Sequence, residues 1–175
     1  WQRTGDANSD GSMIYAWSDC RNGIRDVIAQ KIDVDGNNLW GENGVVVVNA
    51  EGRQEDPQLV SDNNGGAYII WADYRHESDT NGDIYAQHVN SSGEITHDAN
   101  GKLICDAENK QFNPLVRNDG SGGALIVWGD QRTGGSYGMY LQSLTNSGIN
   151  LAENGKESFF GISTDAANEP YNHGA

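Results

Sequence analysis

The side chains best placed to do chemistry recur in one pattern, W-x-D-x-R. It occurs as Trp17, Asp19, Arg21, as Trp71, Asp73, Arg75 and as Trp128, Asp130, Arg132. In an extended strand, residues two apart share a face, so each carboxylate stands beside its guanidinium. Three such sets set around a ring would line one mouth of a channel and could hold a ligand or an ion. The same repetition argues for a structural pairing of Asp with Arg or backbone N–H. A residue needed once for a reaction need not recur in every copy.

Other chemistry is sparser. Asp79, Asn81 and Asp83 offer hard oxygen ligands at alternate positions around Gly82, an arrangement that suits calcium. The full EF-hand pattern and its distal Glu are missing, and turn chemistry accounts for the loop equally. Asp33-Val34-Asp35-Gly36-Asn37 has the same look at a hairpin turn. No other cofactor is indicated. His76, His88, His97 and His173 follow no zinc spacing; His97 takes the place of Trp40 and Leu151, which suggests packing or a partly exposed ring. There is no G-x-S-x-G elbow and no phosphate loop. Carboxylates are numerous enough for a glycosidase pair, yet none stands out against the repeat. Tyr74, Tyr137, Trp40 and Tyr171 are aromatic candidates for stacking on sugars. Cys20 and Cys105 sit at non-equivalent places and are expected to be two free or buried thiols.

The elements that position these residues are repeats. The three motif tryptophans lie 54 and 57 residues apart, and other features keep the same period. Gln30, Gln87 and Gln142 end related strings. Asn43-Gly44, Asn100-Gly101 and Asn154-Gly155 follow, and then Pro57, Pro114 and Pro170. Each copy divides into four short strands separated by turn residues such as Ser91-Ser92-Gly93. In the second copy these are 67–71, 84–89, 102–105 and 114–117. The stretches 13–17, 67–71 and 124–128 lack a polar face, so they require cover on both sides. A sandwich strand would alternate, whereas a propeller blade packs between two neighbours.

The predicted fold is therefore all-β: three four-stranded β-propeller blades over about 11–65, 66–122 and 123–175, with a β-solenoid as the alternative. Three blades close no ring. Further blades of the same chain, or a second copy, are expected to complete it. With no initiator Met and no signal-peptide pattern, Trp1 reads as the start of a processed or excised segment. The formal net charge of −14 disfavours nucleic acid and anionic membrane surfaces as partners, and no apolar run is long enough for membrane insertion.

The succession W-x-D-x-R, D-I-Y-A-Q, N-G, Q-x-x-P and G-G resembles a repeat of large secreted bacterial surface proteins, many of them similar to type IX secretion substrates. The matching residues are Trp71, Asp73, Arg75, Asp83 to Gln87, Asn100, Gly101, Gln111, Pro114, Gly122 and Gly123. The third copy departs at Gly138 and Ala167, and the first lacks the proline. The resemblance implies an extracellular or cell-surface propeller module and no particular activity. The leading expectation is a non-catalytic binding or scaffold module whose partner is a protein or a glycan. The alternatives are a propeller glycoside hydrolase or lyase with a site at the channel mouth, and an ordered fragment of a secreted cargo or filament protein.

Overall fold

The structure, a computed structural model, describes residues 2–21, 23–76, 81–134, 136–145, 147–151 and 154–163, with 136 and 158–163 described by backbone alone. Among the described residues every regular element is a strand. Strands β1 (Arg3–Ala7), β2 (Met13–Asp19), β3 (Asp26–Ile32) and β4 (Val45–Val48) form one antiparallel sheet in that order. A second sheet holds β5 (Gln54–Ser61), β6 (Ala67–Asp73), β7 (Asp83–Val89) and β8 (Lys102–Cys105). In the third, β9 (Gln111–Asn118), β10 (Ala124–Asp130) and β11 (Ser136–Thr145) run in order, and both β12 (Gly148–Ile149) and β13 (Lys156–Ser163) pair with β11. Strand β5 packs against both β1 and β9, so the first strand of each sheet is the inner one. These are β-propeller blades.

The sheets are cut one strand earlier than the sequence repeats 11–65, 66–122 and 123–175. The Pro114 strand, placed last in the second repeat, pairs with β10 and opens the third blade. Sequence periodicity fixes the length of a repeat but not its phase. The phase depends on which strands share hydrogen bonds.

Double-sided burial is realised in the middle blade. Every residue of β6 is buried. Ala67, Ile69 and Trp71 join Ile14, Ala16, Val27 and Val47 in one apolar layer. Tyr68 and Ile70 face the other way, onto Val116, Ile126, Trp128 and Leu144. Each fully buried large apolar side chain contributes about 2 kcal/mol. The outer blades have one covered face each: Met13 on β2 is 42% exposed, and Leu115 on β9 is 51% exposed.

The recurring residues form one brace. In the middle blade, Trp71 Nε1 donates to Asp73 Oδ2 at 2.7 Å. Arg75 closes on the same carboxylate through its backbone N, Nε and Nη2 at 2.9, 2.9 and 2.6 Å. Its Nη2 also donates to the carbonyl of Asn100 in the N-G turn. Gly101, at φ +96°, is required there because a Cβ would come within 2.5 Å of the Trp71 ring. The Asn100 side chain in turn accepts from the Asn49 N–H of the preceding blade at 3.0 Å. The third blade repeats the set through Trp128, Asp130, Arg132, Asn154 and Gly155. Gln87 completes the middle blade by pinning the outer loop, with bonds to the Asp98 carbonyl and the N–H groups of His88 and His97.

Candidate functional site

The Asp–Arg sets all lie at the same end of their blades, where the loops into the inner strands also converge. Their carboxylates are turned inward on their own blades. Asp73 and Asp130 are buried and fully engaged by their Trp and Arg partners. Asp19 makes the same bonds to Trp17 and Arg21 at a more open position. Arg21 holds the Asp19 carboxyl well below the usual carboxylate range. Burial alone would raise Asp130, but the bonds from Arg132 and Trp128 outweigh it and the net shift is downward. Arg75 and Arg132 also lie over the rings of Tyr85 and Tyr140, at 4.0 and 3.7 Å.

The open chemistry at this end lies on the inner strands instead. The middle blade begins its inner strand with Glu55 and Asp56 at a β-bulge, where the register against β6 shifts and Asp56 adopts φ +53°. Bulges re-aim side chains, and they are frequent beside active sites. The third blade has the same bulge, with Asn113 at φ +49°, but carries Phe112 and Asn113 there. Only the middle blade, among these two, offers carboxylates. Asp56 is held by Gln2 of the first blade: the Gln2 amide donates to its Oδ1, and Gln2 Oε1 accepts from the Asp56 N–H at 3.0 Å. Glu55 is paired with Arg25 of the first blade and lies 3.4 Å from Arg53 Nε.

Beside these two carboxylates is a cavity of about 410 Å³ lined by Gln2, Ser18, Cys20 and Arg25. It exists because the first blade departs from the repeat. Where the middle blade has Tyr74, the first has Cys20, a free and exposed thiol. Tyr74 fills its own site against Gly82, where a Cβ would meet the ring at 2.9 Å. Ser18 bonds to Gln2 Oε1 and to the Gln54 carbonyl, tying the cavity wall to both blades. A guanidinium, an amide and a hydroxyl line this space and can bind a polyhydroxylated ligand, and the guanidinium and the amide each also hold one carboxylate of the β5 bulge.

The other sequence candidates are placed as follows. Asp79, Tyr171 and His173 fall outside the described residues. Asn81 is exposed with φ +61°, and Asp83 is buried on β7 opposite Asp73. Among the described residues no three His, Cys, Asp or Glu side chains cluster as metal ligands. Asp33 spends its carboxylate on Asp35 and Asn37 within its turn. Trp40 and Tyr74 are buried rather than available for stacking, Trp40 against Gly93 of the next blade and Tyr74 between Gly82 and Arg53 of its own, whereas Tyr137 is 36% exposed. Cys105 is a free buried thiol that desolvation pushes up to about 12. Glu55, Asp56 and Arg25 were not singled out by the sequence. Their signal was the acidic pair standing where the next copy has Phe-Asn.

No family model and no curated protein matches this chain. Solved structures do. An endo-arabinase from Bacteroides thetaiotaomicron VPI-5482 superimposes with a TM-score of 0.61 at 16% identity, covering 94% of this chain and 62% of that one. An alpha-L-arabinanase from Penicillium chrysogenum, solved with arabinobiose, gives 0.53 at 14% identity, covering 90% and 52%. The chain thus spans somewhat more than half the length of each. At such identities the likeness is one of fold, and it identifies the sheets as propeller blades.

Proposed function

We propose that this chain supplies blades to a polysaccharide-degrading β-propeller that works outside the cell, with Glu55 and Asp56 as the carboxylates at its site. The observation that carries this reading is the bulge of β5. It sets two acidic side chains next to the residues that wall a cavity of about 410 Å³ at the mouth, where the equivalent bulge of β9 carries none. An acid and a base or nucleophile, both carboxylates, are what glycosidic cleavage requires. The two similar solved structures are an endo-arabinase and an arabinanase, which supports the substrate class. The extracellular setting rests on the resemblance of the repeat to secreted surface proteins.

The test is reducing-sugar release from linear arabinan and other plant polysaccharides by the full-length protein, compared with E55Q and D56N. Either substitution is expected to lower the rate at least a hundredfold while thermal unfolding remains cooperative. Unchanged release in both variants would falsify the assignment of the two carboxylates. A second reading, a glycan-binding scaffold, is favoured by the internal closure of the three Asp–Arg sets. It predicts retardation of the wild-type protein in polysaccharide-containing native gels with no sugar released.

A further inference from the structure

A second cleft opens at the same end, between the second and third blades. It encloses about 250 Å³ and is lined by Arg53, Tyr74, Asn81, Asn109, Lys110 and Gln131. Two cations stand in it, on a chain of net charge −14, and its described lining includes no carboxylate. Their placement follows from the repeat. Arg53 and Lys110 are equivalent residues, each just before the buried glutamine that opens an inner strand, Gln54 or Gln111. The backbone fixes both: the Arg53 carbonyl accepts from Tyr74 N–H, and the Lys110 carbonyl from Gln131 N–H.

The two cations differ in how they are held. Arg53 lies over the Tyr74 ring at 4.0 Å and also reaches Glu55. Lys110 rests 5.7 Å from the Phe112 ring centroid, and among the described residues it has no carboxylate partner. A lysine ammonium with no carboxylate partner among the described residues is a mobile point charge suited to an anionic ligand group. Besides Tyr74, the remaining lining is three primary amides, Asn81, Asn109 and Gln131, each able to donate to and accept from hydroxyl groups. Cations alone would suit any phosphate. Cations together with three amides in a space of about one monosaccharide suit a sugar that carries an acid.

We infer that this cleft binds an acidic sugar residue, carboxylated or sulfated, with Lys110 and Arg53 on the anion and the three amides on the hydroxyls. The inference rests on the polysaccharide reading above and narrows it. Glu55 touches Arg53 as well as Arg25, so the two clefts adjoin and one polymer can occupy both. The proposed substrate is then a polysaccharide with acidic residues or acidic branches rather than a purely neutral one.

The test is binding of the full-length protein to polygalacturonate, to its methyl ester, to carrageenan and to linear arabinan, by isothermal titration at low and high salt. At low salt at least one of the two charged polymers should bind tenfold or more tightly than the neutral ones, and salt should erode that margin. Which of them binds identifies the anion as carboxylate or sulfate. K110Q should reduce the charged-over-neutral preference at least fivefold. K156Q removes the same charge from the exposed outer strand β13 and should leave the preference intact. Equal binding of charged and neutral polymers, or equal effects of K110Q and K156Q, would overturn this inference and leave the carboxylate assignment standing. No binding to any polymer would overturn both. Loss of sugar release in E55Q and D56N bears only on the carboxylates.

Discussion

The two junctions between blades are built from one repeat, yet they differ at both ends. At the mouth, the first blade offers Cys20 beside a cavity of about 410 Å³, and the second offers Tyr74 beside a smaller, more polar cleft of about 250 Å³. At the opposite end, Trp40 of the first blade seals its junction. Its Nε1 donates to the Ser91 carbonyl at 3.2 Å, and its ring lies against Gly93. In the second blade His97 stands in that place, beside a polar cleft of about 260 Å³ lined also by Thr96, Asp98, Lys102, Ser147 and Gly148. The residues that repeat brace the blades. The residues that break the repeat create the spaces. Function on such a scaffold is to be sought in the departures.

The largest effect should come from breaking a brace where it is buried. In D73A the Trp71 N–H and the Arg75 guanidinium lose their shared acceptor. Both are shielded: Trp71 is fully buried and the Arg75 side chain is 16% exposed. Breaking a buried pair from one side costs about 3–5 kcal/mol. D19A removes the same acceptor where the Arg21 side chain is 45% exposed, so water replaces it and the cost is about 1 kcal/mol or less. Urea unfolding of the two variants measures this directly. Equal losses would show that the first blade is as tightly braced as the second.

A smaller effect follows from converting one mouth into the other. C20Y with R25G gives the first blade the tyrosine and glycine of the second. It should close the 410 Å³ cavity and abolish polysaccharide cleavage, with stability changed by no more than about 1 kcal/mol. The thiols report on the same difference without any activity assay. In the folded wild-type protein one thiol should react promptly with a disulfide reagent. That thiol is Cys20, since Cys105 is fully buried and its ionisation is pushed up to about 12. Two prompt equivalents would mean that the junction around Cys105 opens.

Much of this architecture was legible in the sequence. The apolar runs ending in Trp17, Trp71 and Trp128 are β2, β6 and β10, and the demand that they be covered on both faces is met wherever two neighbouring blades are present. Periodicity could not reveal the phase, since Pro57 and Pro114 recur at the same interval whichever sheet their strand joins. Nor could it reveal the site. W-x-D-x-R drew the eye because it repeats, and it repeats because the fold needs it in each blade. Glu55 and Asp56 stand between the recurring Gln54 and Pro57, which masked their departure from the repeat, and their proximity to Gln2 and Arg25 is a contact between blades that spacing along the chain does not encode.

The smallest effect concerns the far end of the second junction. The His97 Nε2 is buried with no hydrogen-bond partner among the described residues. Burial, then the nearness of His88 and Lys102, lowers its pKa from the ordinary 6.5, while Asp98 opposes the shift weakly. The folded state therefore binds a proton at His97 less readily than the unfolded chain does. Its contribution to stability is complete above pH 6.5 and is lost as pH falls through the lowered folded value. H97W removes this group and restores the ring that seals the first junction, where Gly93 accommodates Trp40 as Gly148 would accommodate its counterpart. Thermal unfolding at pH 7.5 and 5.5 should show a smaller drop for H97W than for wild type, a difference of under about 1 kcal/mol. An identical drop in both would leave His97 as a packing residue with no part in the acid sensitivity.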